Sequence, residues 1–307
     1  MRCSVLPPQS DFIRKATVCL HTFIPICADS VTVDMVILMK TYRFGVLGAG
    51  SMGTAIVDGA VRAGLFAPSE ALLFNRSEEK REANRAKGYA VTGDYTEVYT
   101  ACDMVLLAVK PQNFDEILPV LAGCAGEEPL VISIAAGVTF AKMEAALGAD
   151  TPIIRVMPNT PLMLGEGATQ LVKNAAASEA QLVQVRALFD TMGVTVVFDE
   201  ERMLNEVIPY AGSAPAYLYT FADAMIQSAG QHGISEDDAL TLFCQTMIGS
   251  AKMLLQRDKT PAELIRAVCS PGGTTIEAMK VLEARGLYDI LAEASDKCIA
   301  RAYELGK

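Results

Sequence analysis

Histidine is nearly absent from this 307-residue chain, with only His21 and His232, and its eight cysteines contain no Cys-x-x-Cys pair. The spacing of Cys3, Cys19, Cys27, Cys102, Cys124, Cys244, Cys269 and Cys298 excludes the usual zinc sites and suits a reduced, intracellular protein without a metal. Basic charge is short as well. With 26 Lys and Arg against 36 Asp and Glu, the formal net charge of −10 excludes nucleic acid or an anionic membrane as the main partner. Any phosphate must then be held by local cations. A membrane-length apolar run is also missing, since the stretch Ala16 to Cys27 is too short and too interrupted to span a bilayer.

That stretch follows Arg14-Lys15 and precedes Ala28-Asp29-Ser30, a faint signal-peptide pattern that does not belong to what comes after it. Residues 1–38 are accordingly read as a leader or upstream extension, poorly ordered and with little role in the fold. The whole chain is half apolar with 20% charged residues, the composition of a soluble, cytoplasmic, globular protein. Its length suits two domains.

One dense feature stands out from Arg43 to Gly53. Phe44, Val46 and Leu47 supply an apolar strand that runs into Gly48, Gly50 and Gly53 at the G-x-G-x-x-G spacing, and a helix opens at about Ser51. The first glycine permits the tight turn, the second lets a pyrophosphate approach bare backbone, and the third lets the helix pack on its strand. Free N–H groups at the helix start favour the phosphate. Such turns also occur for steric reasons alone, so context matters. Here the helix is amphipathic (Ala55, Ile56, Val57, Ala60, Val61), ends near Gly64 and leads into a second apolar strand, Ala71 to Phe74. The result is a βαβ unit.

The end of that second strand discriminates between cofactors. An NAD site usually places Asp or Glu there for the ribose 2′-OH, whereas this chain has Asn75-Arg76-Ser77. A guanidinium beside a hydroxyl and an amide suits a 2′-phosphate, which points to NADPH with NADH as the alternative donor. The residues alone leave open a structural role, in which Arg76 and Ser77 cap and solvate the next helix.

From Met39 to about residue 199, strands and helices alternate as a doubly wound, Rossmann-type parallel sheet requires. Helix is expected at Glu78 to Lys87, Phe114 to Leu121 and Glu179 to Met192. Strand is expected at Tyr89 to Val91, Asp103 to Val109, Leu130 to Ile134, Ile153 to Met157, Ala168 to Val172 and Val194 to Phe198. Ligands bind at the carboxyl ends of such strands, so Gly48, Lys110 and Gly137 should meet in one crevice. Beyond residue 200 the pattern is helical throughout. Helices are expected at Arg202 to Ala211, Pro215 to Gly230, Glu236 to Gln256, Pro261 to Val268, Gly273 to Ala284 and Tyr288 to Leu305, with a capping box at Thr260–Glu263. Residues 200–307 therefore form a second, all-helical domain. Its many apolar residues, among them Met225, Ile226, Leu240, Leu242, Phe243, Met247, Ile248, Met253 and Leu254, suit either its own core or a partner.

Six segments in this order resemble the pyrroline-5-carboxylate reductase family: VLGAGSMG at 46–53, AVKP at 108–111, IAAGVT at 134–139, MPNTP at 157–161, GSAPAY at 212–217 and SPGGTT at 270–275. The first two recur in many dehydrogenases. SPGGTT, at a helix mouth in the second domain, is the family's signature. The resemblance covers the chain from Met39 to its end and implies NADPH-dependent reduction of 1-pyrroline-5-carboxylate to L-proline, the last step of proline biosynthesis.

The resemblance also implies roles for single residues. Leu47, Gly48, Ala49, Gly50, Ser51, Met52 and Gly53 would wrap the pyrophosphate, and Asn75, Arg76 and Ser77 the adenosine phosphate. Ala108, Val109 and Lys110 would border the nicotinamide ribose, and Ala135 and Ala136 would offer backbone to nicotinamide and substrate. Thr275 would hydrogen-bond the ring nitrogen as the catalytic residue, with Ser270, Gly272, Gly273 and Thr274 around the carboxylate. From the residues alone, Ser270 as a mere helix N-cap and Lys110 as a solvated strand end stay open. Two departures are Tyr95, where relatives often carry Asn, and Ala214, where Gly is common. The family further implies an interlocked homodimer with shared active sites, and a decamer of five dimers as a larger assembly. The rival readings are a catalytically silent NADPH-binding regulator, a related cyclic imine reductase, and a hydroxy-acid reductase, whose interdomain helix usually carries a Lys that 202–211 lacks.

Overall fold

Side-chain alternation in the strands divides the core into two faces. In β1 (Tyr42–Leu47), Phe44 and Val46 join one buried cluster and Leu47 the other. The computed structural model describes residues 40–124 and 128–306; the leader expected at 1–38 lies outside the described residues. With β1, the strands β2 (Ala71–Phe74), β3 (Ala90–Thr92), β4 (Cys102–Leu107), β5 (Leu130–Ser133), β6 (Ile153–Met157), β7 (Gly167–Lys173) and β8 (Gly193–Val197) make one sheet, ordered β3-β2-β1-β4-β5-β6-β7-β8. Pairing is parallel from β3 to β6. The order reverses between β1 and β4, the switch point at which a ligand crevice opens.

Helices α1 (Ser51–Arg62), α2 (Glu78–Arg85), α3 (Tyr95–Ala101), α4 (Phe114–Ala122), α5 (Phe140–Leu147) and α6 (Glu179–Asp190) cover the sheet. Ile56, Val57 and Ala60 of α1 and Val185 and Phe189 of α6 pack against one face. Val98 of α3, Ile117 and Leu121 of α4 and Met143 of α5 pack against the other. Helices α3 and α5 were not among the expected elements. Each is short and held by its N-cap, Asp94 accepting from the Thr96 N–H and Thr139 from the Lys142 N–H.

Two expected features come out differently. Strand β7 runs antiparallel to β6 and parallel to β8, so the parallel sheet is extended by a reversed pair. The connection 158–166 holds Pro158 and Pro161 and is too short for a crossover helix. Asn159 fixes it by accepting from the Ala168 N–H and donating to the Ala211 carbonyl. The continuous helix expected over 202–211 is instead a four-residue turn, α7 (Met203–Glu206), followed by a tighter turn at Ile208–Tyr210. Pro209 lacks the N–H a continuing helix needs there.

After this break come α8 (Ala214–Gln231), α9 (Glu236–Leu255), α10 (Pro261–Val268), α11 (Thr274–Ala284) and α12 (Leu287–Leu305). The Thr260–Glu263 capping box opens α10. Among the described residues of these five helices only Pro215, Ala222, Ala239 and Ala302 are buried. Met225, Leu240, Leu242, Ile248, Met253 and Leu254 all face outward. An internal core formed by these side chains is therefore ruled out within one chain.

One carboxylate joins the two halves. Glu201 accepts from the Arg155 guanidinium of β6 and from the Phe140 N–H at the start of α5, both at 2.6 Å. Arg155 is only 3% exposed, so losing its partner leaves a guanidinium uncompensated in the interior. Glu201→Gln is expected to lower unfolding free energy by about 2 kcal/mol, less than the roughly 3–5 kcal/mol for breaking a fully buried pair because Glu201 is itself partly solvated. Urea unfolding measures this; a loss below about 0.5 kcal/mol, typical of a surface change, contradicts it.

Candidate active site

The three glycines after β1 each answer a different constraint. Gly48 has φ 95°, and a Cβ there would stand 2.9 Å from the carbonyl carbon and oxygen of Ala108. The end of β4 is that near because the Ala108 N–H donates to the Leu47 carbonyl at 2.8 Å. A Cβ on Gly53 would lie 2.6 Å from the Gly48 oxygen, so this glycine sets how closely α1 seats on the turn. At Gly50 the added atom would meet nothing within 4 Å. Gly50 is the N-cap of α1, without a side-chain cap, and no acidic side chain sits in the first turn. The first-turn N–H groups, with Ser51 exposed and Met52 half-buried, therefore face no acidic side chain that would offset the helix dipole.

A groove of ≈ 540 Å³ adjoins this turn, lined in part by Gly50, Ser51, Thr54, Lys80 and Asn84. Asn75, at the end of β2, is buried beside it. Its Nδ2 donates to the Ala49 carbonyl at 3.1 Å, and its Oδ1 accepts from Asn84 at 2.9 Å. The amide expected to touch a nucleotide is thus engaged in bracing the glycine turn. Arg76 is exposed and reaches Glu116 of α4 at 3.2 Å. Ser77 is the N-cap of α2 but makes no side-chain cap bond, so the helix does not use its hydroxyl.

Sequence reasoning missed two residues here. Arg81 donates to the carbonyls of Asn75 at 2.7 Å and Arg76 at 3.0 Å, fixing the backbone that presents Arg76. Glu116 faces Arg76 from 40 residues away. Neither carries a local signal, because Arg81 is one cation in a charged helix and Glu116 one first-turn carboxylate among many.

Strand register aligns the other expected contacts. Leu47 pairs with Phe74 on one side and Leu107 on the other, and Leu107 with Ser133. This places Gly48, Lys110 and Gly137 along one edge of the sheet. Ala108 and Val109 are half-buried there, Lys110 and Ala136 are exposed and Ala135 is buried. Gly137 has φ 78°, and a Cβ on it would lie 2.8 Å from the Leu305 carbonyl, so the last turn of α12 rests on this loop. Tyr95 packs edge-on against Phe74, ring centroids 5.5 Å apart, and thus borders the same edge. Ala214 is the first residue of α8.

The second motif lies in the helical half. Gly273, rather than Ser270, is the N-cap of α11, and it makes no side-chain cap bond. Ser270 instead closes the turn through its carbonyl, which accepts from the Gly273 N–H at 3.0 Å, while Gly272 bends it with φ 71°. Ser270, Gly272 and Thr274 are exposed, and Thr275 is half-buried. Thr275 lines an apolar hollow of ≈ 440 Å³ with Met253, Leu264, Val268 and Met279, walled by α9, α10 and α11. No residue of this hollow belongs to the groove beside Gly50. Within one chain the two motifs form separate hollows.

Residues 201–305 match the family model described as pyrroline-5-carboxylate reductase dimerisation, and residues 43–137 match the one described as NADP oxidoreductase, coenzyme F420-dependent. The pyrroline-5-carboxylate reductase of Escherichia coli (strain K12) is 36% identical over 266 residues, covering 86% of this chain and 98% of that protein. The chain belongs to the pyrroline-5-carboxylate reductase family. Two solved structures of pyrroline-5-carboxylate reductases agree in fold. That from Coxiella burnetii has a TM-score of 0.80 at 33% identity, covering 87% of this chain and 99% of its own. That from Plasmodium falciparum, with NADP bound, has a TM-score of 0.79 at 25% identity, covering 88% and 100%. As a member of the pyrroline-5-carboxylate reductases the chain is an NADP-dependent oxidoreductase of proline biosynthesis and carries that family's self-association region.

The glycine geometry separates two kinds of loss. Gly50→Ala is expected to keep the thermal midpoint within about 2 °C, since the methyl enters open space, yet to weaken NADP⁺ binding more than about tenfold by filling the approach to the backbone. Gly48→Ala is expected to lose both stability and binding. Calorimetric melting and NADP⁺ titration distinguish them; unchanged binding in Gly50→Ala contradicts the assignment.

Proposed function

We propose that this chain reduces 1-pyrroline-5-carboxylate to L-proline in a cleft completed between two subunits. The cofactor half, 39–199, of one subunit would meet the helical half, 200–307, of the other. The observation that carries the reading is that the starts of α1 and α11, at Gly50 and Gly273, both lack side-chain caps and adjoin different hollows in one chain, Gly50 lining one and Thr275 the other. The outward-facing apolar residues of α8–α12 supply the surface for the pairing, and further assembly into five dimers, a decamer, belongs to the same reading.

The residues fit the cofactor. The open side of Gly50 admits a pyrophosphate, the N–H groups from Ser51 to Gly53 bind it, and Arg76 with Ser77 suits a 2′-phosphate. Asn75 acts from below by holding Ala49. Ala108, Val109 and Lys110 border the ribose, and Ala135 and Ala136 present backbone to the nicotinamide and substrate. NADPH, when bound, supplies the hydride for the C=N carbon. A protonated cyclic imine is already electrophilic, so the protein's task is positioning. Ser270, Gly272, Gly273 and Thr274 surround the carboxylate with N–H and hydroxyl donors. The Thr275 hydroxyl accepts from the ring N–H and holds that proton at nitrogen while the adjacent carbon is reduced.

The five described cysteines are free thiols, in keeping with a cytoplasmic setting. NADPH consumption with pyrroline-5-carboxylate, piperideine-6-carboxylate and a hydroxy acid tests the function. Turnover is expected on the five-membered imine. Activity on the hydroxy acid alone overturns the reading, and NADPH binding without turnover indicates a silent regulator. Thr275→Val is expected to lower kcat roughly 10- to 100-fold, the worth of a hydrogen bond to a charged group, with NADP⁺ affinity within about twofold. Equal losses in both measurements contradict its placement.

A further inference from the structure

Arg76 and Glu116 form the one contact in the site that sets a carboxylate against the cation expected to bind phosphate. Arg76 follows β2 and Glu116 lies in the first turn of α4, after β4. Strands β2 and β4 are the two neighbours of β1. The pair therefore joins the flanks of the strand whose carboxyl end carries the glycine turn. We infer that Glu116 tunes the nucleotide preference of this site, holding Arg76 in the free chain and disfavouring a 2′-phosphate that must take Arg76 from it. The inference rests on the reading of Arg76 as the 2′-phosphate contact.

The physical argument concerns competition. A 2′-phosphate brings up to about two negative charges beside Arg76, and Glu116 adds a like charge within the same small region. A nucleotide without that phosphate meets no such repulsion, and its ribose 2′-OH is a donor that a carboxylate can accept. Both side chains are mostly exposed, 66% for Arg76 and 63% for Glu116, so the interaction is screened and modest. It tunes a ratio and does not decide whether the protein folds.

Dissociation constants for NADP⁺ and NAD⁺ are to be measured by calorimetric titration on wild type, Glu116→Gln, Arg76→Ala and the double variant, at low and high salt. Glu116→Gln is expected to tighten NADP⁺ about 3- to 5-fold, to leave NAD⁺ equal or weaker, and to lose most of this effect as salt rises. In steady-state kinetics the change should fall on KM for NADPH rather than on kcat. Arg76→Ala is expected to weaken NADP⁺ about tenfold with NAD⁺ little changed, and to abolish the effect of Glu116→Gln. If Arg76→Ala shifts NADP⁺ alone but Glu116→Gln shifts neither ligand, or both equally, Glu116 has no such role and Arg76 keeps its own. If Arg76→Ala leaves the ratio unchanged, the reading of Arg76 fails and the inference with it.

Discussion

The helices after Met203 carry more apolar surface than one chain covers, and the rest of the architecture depends on where that surface goes. Leu242, Leu255, Val268 and Tyr219 are 65%, 72%, 66% and 63% exposed, and the residues buried in α8–α12 are almost all alanines. A monomer exposing this many large apolar side chains gains from covering them with a partner of the same shape. A second copy is that partner, as expected of a chain whose residues 201–305 match a dimerisation family. The Thr275 hollow lies on the same helices. On the proposed reading, covering the apolar surface would also complete the pocket around Thr275.

The half that carries the glycine turn stands in contrast, its contacts made within one chain. Its glycine turn is fixed from three sides: by the Ala108 backbone behind Gly48, by the Asn75 amide under Ala49, and by α1 seated against the Gly48 carbonyl. Asn75 is in turn held by Asn84 and Arg81. A preformed anion seat loses little freedom when ligand arrives, which favours affinity. The last turn of α12 lies against Gly137, so the helical half also touches the loop expected to border the nicotinamide.

Much of this was legible in the residues because periodicity and turn chemistry are local. Strand Ala71–Phe74 and helix Pro261–Val268 follow from apolar runs, a proline and a capping pair that need no tertiary context. Helix α3 was not, since Tyr95, Thr96, Val98, Tyr99 and Thr100 are weak helix formers, and it forms because Val98 and Tyr99 are buried under the sheet. The reversal of β7 depends on the shortness of one loop and on Asn159 reaching Ala211, 52 residues away. Site residues at glycine turns announce themselves by composition. Those that act by holding others, such as Arg81, Glu116 and Glu201, are common charged residues whose partners only the fold reveals.

The central claim is that each reaction cleft takes its glycine turn from one subunit and its Thr275 from the other, and subunit mixing tests it most directly. A chain with Gly50→Ala is co-expressed with a chain with Thr275→Val, each strongly impaired on its own at subsaturating NADPH, and the mixed dimer is isolated through two different tags. Shared clefts place both lesions in one site and leave the other intact, so the mixed dimer should recover up to about half of wild-type turnover per dimer. Clefts built within single chains leave every site with a lesion, and a mixed dimer no more active than its parents would contradict the account.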